Sequence, residues 1–333
     1  MKFTSIAMRS LWIAAAVAAW SAQIAIEAWG QPAWRPEKAV EFITSSDAGG
    51  SNDQVARAMQ KALQDARLIA VPINVINKPG GNQTLAVVYL NQFAPNPHYL
   101  LLANPTVFTN QLTGISQLNY LELTPVSLLT LESTAITVRA DSPIKTLREL
   151  IDRFKADPTS LALGIVARGG SNHLTFSMAL RSAGVDARKV RAAVFKTNAE
   201  SMTALLGGHL QIVASSVSTA LQHVKAGNAR MLAVASPQRL GGTLAAVPTF
   251  KEQGIDTWVA NWRGVFGPKG MAPAPVAFWE EVFAKMAATD EWKKDLELRD
   301  SEGQFLRSKE FAKYLEAEYS ATKSIMTELG LAK

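Results

Sequence analysis

The chain has 333 residues, of which 48% are hydrophobic and 19% are charged, and it contains no cysteine. This balance is typical of a folded globular protein, and the length favours two domains. The lack of cysteine excludes disulfide bonds, thiolate metal sites and attachment of a lipid through a cysteine. The net charge of +6 is scattered along the chain, which favours capture of small anions over binding to nucleic acid.

The first thirty residues have the pattern of a secretory signal peptide. A basic start is followed by an uncharged, mostly apolar run over residues 10–26. Small residues just before Gln31 fit a cleavage site, and a second possible site lies near Ser21. The alternative is an uncleaved membrane anchor, since the uncharged run nearly spans a bilayer. We expect residues 1–30 to be removed on export, which predicts a periplasmic protein.

From residue 34 onward, short apolar runs alternate with amphipathic ones. Strands are predicted at residues 39–45, 73–77, 99–103, 126–131, 134–138, 161–166, 191–195, 210–214 and 231–235. Helices are predicted at residues 53–66, 84–92, 146–156, 173–183, 201–206, 219–226, 275–288, 291–298 and 309–329. This alternation predicts an α/β fold in which mainly parallel sheets are flanked by helices. Crossings near residues 131–138 and 257–264 divide the chain into domain 1 (31–132 and 257–333) and domain 2 (133–256).

The tetrapeptide Gly-Gly-Ser-Asn occurs twice, at residues 49–52 and 169–172, each time between a predicted strand and a predicted helix. Ser51 and Gln54 fit a capping box, so we expect Ser51 to be the helix N-cap. A glycine turn before a helix aims backbone N–H groups and the positive end of the helix dipole at one point, which suits an anion. The two copies predict two walls of one cleft, although a tight turn without a ligand is the alternative for each.

Side chains that could perform catalysis are few. The four histidines have no metal-binding spacing, so neither a metal site nor a cofactor is predicted, and His173 is the one expected near the cleft. Ser51, Ser171 and Ser215 are possible nucleophiles, but the sequence provides no evident base, and serine caps helices more often than it attacks carbonyls. Asp53 falls in the first turn of its helix, where a carboxylate complements the dipole.

Seven segments of the sequence resemble, in the same order, the extracytoplasmic solute receptors of tripartite tricarboxylate transporters, also called the Bug receptor family. They span the mature chain and lie at residues 48–53 (Ala-Gly-Gly-Ser-Asn-Asp), 77–82 (Asn-Lys-Pro-Gly-Gly-Asn), 142–147, 169–174 (Gly-Gly-Ser-Asn-His-Leu), 205–210, 232–235 and 247–254. The opening turn departs from the family's usual apolar-Pro-Gly-Gly-Gly pattern, because Ser46-Asp47-Ala48-Gly49-Gly50 places an anionic side chain at the mouth of the cleft.

The resemblance implies a two-domain Venus-flytrap receptor, not an enzyme, that captures a small organic carboxylate and delivers it to membrane transporter subunits. It also implies that backbone N–H groups of the first glycine turn hold the carboxylate. In domain 1 the expected ligand contacts are Ser46, Asp47, Gly49, Gly50, Ser51, Asn52 and Asp53. In domain 2 they are Ser171, Asn172, His173, Thr197, Asn198, Ser215 and Ser216.

Two other functions remain open at this stage. One is an exported hydrolase that uses Ser51 or Ser171, and the other is a soluble ligand sensor that serves a membrane kinase. A receptor returns its ligand unchanged, which separates it from the hydrolase, whereas the sensor differs only in its partner. We expect the protein to be a monomer.

Overall fold

The computed structural model of the protein describes residues 34–299 and 301–333. The predicted signal peptide and its cleavage site lie outside the described residues and stay predictions. Residues Pro36–Lys333 form one compact unit, and all features described below belong to it. Within the described part of the chain, no helix is both long and apolar enough to cross a bilayer.

All nine predicted strands and all nine predicted helices are present, with ends displaced by a few residues. The described strands are β1 (Val40–Thr44), β2 (Ile73–Asn77), β3 (Tyr99–Ala103), β4 (Leu123–Glu132), β5 (Thr134–Arg139), β6 (Ala162–Ile165), β7 (Arg191–Val194), β8 (Ile212–Ser216), β9 (Ala229–Ala235), β10 (Asn261–Pro268) and β11 (Glu302–Arg307). The described helices are α1 (Ser51–Asp65), α2 (Thr84–Asn91), α3 (Thr106–Leu112), α4 (Leu147–Ala156), α5 (Ser171–Ser182), α6 (Asn198–Leu206), α7 (Val217–Lys225), α8 (Pro273–Ala288), α9 (Asp290–Arg299) and α10 (Ser308–Glu328).

The strands form two sheets flanked by helices, which confirms the predicted α/β class. Their spatial orders are β11-β4-β10-β3-β1-β2 and β7-β6-β8-β5-β9. Both sheets are mixed, however, rather than mainly parallel. In the first, β1 is parallel to β2 and β3, but β10 is antiparallel to β3 and β4. In the second, β6 is parallel to β7 and β8, but β5 is antiparallel to β8 and β9.

The antiparallel pairings arise where the chain passes between the sheets. Only Ser133 separates β4 of the first sheet from β5 of the second, and β10 brings the chain back to the first sheet. Parallel pairing needs a crossover connection, usually a helix, which the predicted β-loop-α units supply. A strand such as β5 or β10, which the chain enters directly from the other sheet, follows no such crossover and can therefore pair antiparallel with its neighbours.

Aromatic side chains fill the core of the first sheet. Trp262 and Phe266 on β10 are fully buried, and their ring centroids lie 5.9 and 5.2 Å from that of Phe311 on α10. Phe108 on α3 lies 5.5 Å from Trp262. Burying a large apolar side chain stabilises a fold by about 1.5–3 kcal/mol. Because neighbouring residues on a strand face opposite sides, packing Trp262 into this core turns Arg263 to the other face.

Three of these elements, α3, β10 and β11, were not predicted from the sequence, although the predicted crossing near residues 257–264 overlaps β10. Helix α3 has seven residues, too few to show a helical period, and begins where Asn104 Oδ1 accepts a hydrogen bond from the Thr106 N–H at 3.0 Å. Strand β11 has the largely polar sequence EGQFLR and lies at the edge of the first sheet, paired with β4. An edge strand need not carry the alternating apolar pattern on which the prediction relied.

Gly264 on β10 provides a test of this core. A Cβ atom at this position would lie 2.8 Å from Cε1 of Phe311 and closer still to Cζ, so Gly264→Ala should lower the free energy of unfolding by about 1–3 kcal/mol. Gly241→Ala is the matched control, since a Cβ there meets nothing within 4 Å and φ is −85°. Urea denaturation of both variants measures the difference. Equal stabilities would contradict the close packing of Phe311 on β10.

Candidate functional site

A cleft of about 710 Å³ is lined by loops that follow strands of both sheets. The loops after β1, β2 and β3 form the wall from the first sheet, and those after β6, β7 and β8 form the wall from the second. Parallel strands end at the same edge of a sheet, which is why these loops converge. Most of the expected site residues line the cleft: Ser46, Asp47, Gly50, Ser51, Asn52, Ser171, Asn172, His173, Thr197, Asn198 and Ser216. Gly49, Asp53 and Ser215 do not.

The first glycine turn is held by its own hydrogen bonds. Gly49 has φ of +80°, a left-handed conformation that suits glycine, and its N–H donates to Asp53 Oδ2 at 2.8 Å. The Gly50 N–H donates to the Asp47 carbonyl at 3.0 Å. Neither glycine N–H is therefore free for a ligand, contrary to the expectation for this turn.

Asp53 braces this turn and does not line the cleft. Its side chain is almost fully buried, and it also accepts hydrogen bonds from Asn77 Nδ2 and Arg57 Nε, each at 2.9 Å. Burial by itself would raise the pKa of Asp53, but hydrogen bonds from Arg57, Gly49 and Asn77 hold it below the ordinary value. The Asp53 N–H donates to Ser46 Oγ at 2.9 Å.

Two backbone N–H groups at the start of α1 remain available to a ligand. The first N–H groups of a helix have no carbonyl partner within the helix. The Asp53 N–H is already used, because it donates to Ser46 Oγ. This leaves the N–H groups of Ser51 and Asn52, both of which line the cleft. The N-cap is Gly50 rather than the predicted Ser51, which is the first helical residue.

The second glycine turn has the same geometry. Gly169 has φ of +77°, and Gly170, like Gly50, is the N-cap of the following helix, with φ of −70° against −71°. The Gly170 N–H donates to the Ala167 carbonyl at 3.1 Å, and the Gly169 N–H donates to His173 Nδ1 at 3.0 Å. The sequence repeat is thus a structural repeat, in which His173 takes the place of Asp53.

His173 is a neutral hydrogen-bond acceptor in this structure. Burial and the nearby positive charge of Arg168 lower its pKa from 6.5 to about 4. Because Nδ1 accepts from Gly169, the proton of the neutral ring is on Nε2. The side chain is 7% exposed and lines the cleft.

A buried ion pair that the sequence analysis missed connects α1 to the first sheet. Arg263 Nη2 on β10 donates to Glu132 Oε2 at 2.6 Å and to Ser51 Oγ at 3.1 Å, and the Arg263 and Glu132 side chains are each 3% exposed. Arg263 lines the cleft. The sequence features that could have indicated this pair are Arg263 within the largely apolar segment of β10 and Glu132 at the end of the largely apolar β4.

The Glu132 carboxylate also receives hydrogen bonds from residues of β8, α7 and β10. Ser216 Oγ at the end of β8 donates to Glu132 Oε2 at 2.9 Å, and Ser218 Oγ donates to Oε1 at 3.1 Å. Asn261 Nδ2 donates to Oε2 at 3.3 Å. Ser215 differs from Ser216 because its side chain is fully buried and donates to the Ser216 carbonyl at 3.3 Å, which removes it from the cleft wall.

Other predicted residues on the second wall lie at helix N-termini. Thr197 is the N-cap of α6: its Oγ1 accepts from the Glu200 N–H at 3.1 Å, and the Glu200 side chain accepts from the Lys196 N–H at 3.1 Å. Asn198 is the first residue of that helix. Asn172 in α5 accepts a hydrogen bond from Thr134 Oγ1 at 2.7 Å through its Oδ1.

Residues 55–331 match the family described as "Tripartite tricarboxylate transporter family receptor". The chain belongs to this receptor family. The resemblance inferred from the seven sequence segments is therefore confirmed. A protein of Cupriavidus necator, described as "UPF0065 protein in gbd 5'region", is 31% identical over 299 residues, which cover 90% of this chain and 89% of that protein.

Solved structures share the fold of this receptor. One is the Rhodopseudomonas palustris protein Rpa4515 with adipate, at a TM-score of 0.82 and 21% identity, covering 89% of this chain and 99% of that one. Another is MatC from the same organism with bound malate, at a TM-score of 0.77 and 21% identity, covering 87% and 99%. At this identity the likeness establishes the two-sheet receptor fold.

The lowered pKa of His173 predicts how the receptor's stability depends on pH. As the pH falls from 6.5 to about 4, the unfolded chain binds a proton at this residue and the native protein does not. The native state is therefore destabilised as the pH falls through this window, by up to about 3 kcal/mol. Urea denaturation across this range should show a weaker pH dependence for His173→Gln than for the wild type. His223→Gln, outside the cleft, is the control, and identical profiles for all three proteins would refute the prediction.

Proposed function

We propose that this receptor captures a small organic carboxylate in its cleft and delivers it to a membrane transporter of the tripartite tricarboxylate type. The observation that carries the proposal is the pair of equivalent glycine turns, each of which brings the N-terminus of a helix to one cleft. Free N–H groups and the positive end of a helix dipole attract carboxylates. N-termini on two walls can bind one anion from both sides.

The charged groups of the cleft support an anionic ligand. Arg168 and Lys196 line the second wall, are exposed, and form no ion pair with a described residue. Asp47 lies on the first wall, where its charge disfavours an adjacent carboxylate. Exposed Ile115 and Val194 also line the cleft and can contact the hydrocarbon part of an acid. The similar structures with adipate and malate support the idea that this fold accommodates such acids.

The serine residues lack what a hydrolase would need. The described partner of Ser51 Oγ is the Arg263 guanidinium, which donates hydrogen bonds and cannot accept a proton. The nearest candidate base in the second turn, His173, uses Nδ1 to accept from the Gly169 N–H. A nucleophilic serine needs a base within hydrogen-bond reach. Binding without chemistry is therefore the function that we favour over hydrolysis.

The cellular setting belongs to the same proposal. The basic and apolar start of the sequence and the receptor family both support export to the periplasm. A transport partner is favoured over a membrane kinase because the family is defined by its transporter. We retain the expectation that the protein acts as a monomer and binds no nucleic acid.

Carboxylate binding gives the first test of this proposal. Adipate, malate and other aliphatic mono- and dicarboxylates are titrated into the purified protein by calorimetry and by thermal denaturation. An acid that binds should raise the free energy of unfolding by about 2.7 kcal/mol at a hundred times its dissociation constant. Its monoamide should bind about tenfold more weakly, because a charge-assisted hydrogen bond contributes roughly 1.5–3 kcal/mol.

The same experiment distinguishes a receptor from a hydrolase. Mass spectrometry of the released ligand should recover the acid unchanged after prolonged incubation with the protein. Ester or amide derivatives that are cleaved by the wild type but not by Ser51→Ala would instead favour the hydrolase. Lack of binding by every acid would contradict the proposed function.

We also propose that residues 31–132 with 257–333 and residues 133–256 are two domains that close on the ligand. The described strands of the first sheet come from Val40–Glu132 and Asn261–Arg307, and those of the second come from Thr134–Ala235. Extended chain connects the sheets at Ser133 and near residue 260, and such connections can act as hinges.

Closure should make the liganded protein more compact. Small-angle scattering at saturating concentrations of the acid found above should give a smaller radius of gyration than scattering without it. An acid that shows no binding in the titration, at the same concentration, is the control for solvent effects. Identical profiles for free and saturated protein would contradict closure without contradicting binding.

A further inference from the structure

Ser51 has an unusual place among the serine residues of the cleft. Its Oγ accepts a hydrogen bond from Arg263 Nη2 at 3.1 Å, and because a guanidinium only donates, the direction of this bond is fixed. Within the described residues, the Ser51 hydroxyl proton has no acceptor, and the half-buried side chain lines the cleft. The hydroxyl is therefore held by its oxygen while its proton remains available to an anion.

Arg263 is itself held on both of its terminal nitrogens. Nη2 donates to Glu132 Oε2 at 2.6 Å, and Nη1 donates to Asn261 Oδ1 at 2.8 Å and to the Trp262 carbonyl at 3.1 Å. A guanidinium is planar and its N–H bonds have fixed directions. With both nitrogens engaged, the direction of the bond to Ser51 is determined by the buried network and not by solvent.

Ser216 and Ser171 show that this arrangement is particular to Ser51. Ser216 Oγ donates its proton to Glu132 Oε2 at 2.9 Å and accepts from Asn261 Nδ2 at 3.2 Å, so its hydroxyl is engaged on both sides. Ser171 occupies the equivalent place in the second glycine turn, but in the described structure no arginine donates to its hydroxyl.

We propose that Arg263, held by Glu132, is a positioning residue that directs the Ser51 hydroxyl proton toward the carboxylate of the bound ligand. The anion site of the first wall is then a mixed one, with the Ser51 hydroxyl beside the backbone N–H groups of Ser51 and Asn52. The proposal rests on the proposed function, since it assigns donors to that same carboxylate.

The positive charge of Arg263 strengthens this donor. A hydroxyl that accepts a hydrogen bond from a cation is polarised and becomes a better donor in turn. A carboxylate is the acceptor that gains most from it, because hydrogen bonds to charged groups are stronger than those to neutral ones. Lysine cannot replace arginine here, since a single ammonium group cannot satisfy Glu132, Asn261 and Ser51 with the same geometry.

The test is a double-mutant cycle on ligand affinity, with adipate and malate as the probes. Ser51→Ala and Arg263→Lys should each raise the dissociation constant about tenfold. If Arg263 acts through the Ser51 hydroxyl, adding Arg263→Lys to Ser51→Ala should raise it by no more than about twofold further. An independent tenfold effect in that background would overturn the proposal.

Two comparison variants exclude a general structural effect. In the Ser171→Ala background, Arg263→Lys should retain its full effect, because Ser171 has no contact with Arg263. Arg230→Lys replaces another partly buried arginine, which donates to the carbonyls of Ala140, Ser142 and Ile144 outside the cleft, and should leave affinity unchanged. If Arg263→Lys acts additively with both serine substitutions, Arg263 does not position Ser51.

A charge-free variant covers the case in which Arg263→Lys does not fold. Glu132→Gln combined with Arg263→Met removes both buried charges, a replacement that proteins often tolerate. It should fold and bind the probes as weakly as Ser51→Ala does, and wild-type affinity would overturn the proposal. If the wild type binds neither probe, the cycle uses another acid that binds in the titration, and a wild type that binds no acid contradicts the proposed function instead. The positioning claim is then tested by measuring the free energy of unfolding of Ser51→Ala, Arg263→Lys and the double variant. Non-additive effects of the two substitutions support the claim, and additive effects overturn it.

Discussion

The buried ion pair between Glu132 and Arg263 fixes the place where the two sheets and the cleft meet. Glu132 ends β4, one residue before the chain enters the second sheet. It receives hydroxyl donors from Ser216 at the end of β8 and from Ser218 in the helix α7 that follows. A buried pair contributes little net stability compared with apolar packing, yet removing one partner costs about 3–5 kcal/mol. Its contribution is therefore geometric, because the positions of β10, β8 and the start of α1 all depend on one carboxylate.

The two glycine turns have the same backbone conformation, but different side chains accept the hydrogen bond of the first glycine N–H, and this difference affects the cleft. Asp53 holds the first turn with a charged carboxylate that Arg57 and Asn77 also contact, whereas His173 holds the second with a neutral ring. Ser46 Oγ accepts a hydrogen bond from the Asp53 N–H. The equivalent of Ser46 in the second turn is Val166, whose side chain has no acceptor. Among the described residues, the equivalent N–H of His173 has no acceptor and the second turn has no anionic brace, so its helix end attracts an anion more strongly.

Sequence reasoning located the glycine turns and most of the strands because both are local. The periods of strands and helices, the Thr197 cap and the repeated Gly-Gly-Ser-Asn are properties of short segments. The partners of the turn N–H groups could not be obtained in this way, since the Gly49 bond to Asp53 depends on the detailed φ angles of the turn. Glu132 and Arg263 are 131 residues apart and meet only once the strand order exists. The antiparallel pairing of β5 and β10 was not predicted for the same reason, because the direction of pairing is set by the crossing between the sheets and not by the strand's own sequence.

The charges on the two walls, taken with the donors, suggest an orientation for a bound acid. On the proposed function, the carboxylate is attracted to the start of α1, to the start of α5 and to the cations Arg168 and Lys196, while Asp47 repels it from one part of the first wall. The part of the ligand nearest Asp47 must then be uncharged or a hydrogen-bond donor, because an unpaired like charge there would be destabilising. Ser51 lies in the same loop as Asp47 but presents a proton, since Arg263 occupies its oxygen. Attraction by the helix ends of both walls and repulsion by one carboxylate on the first wall thus favour one orientation of an acid that binds as proposed.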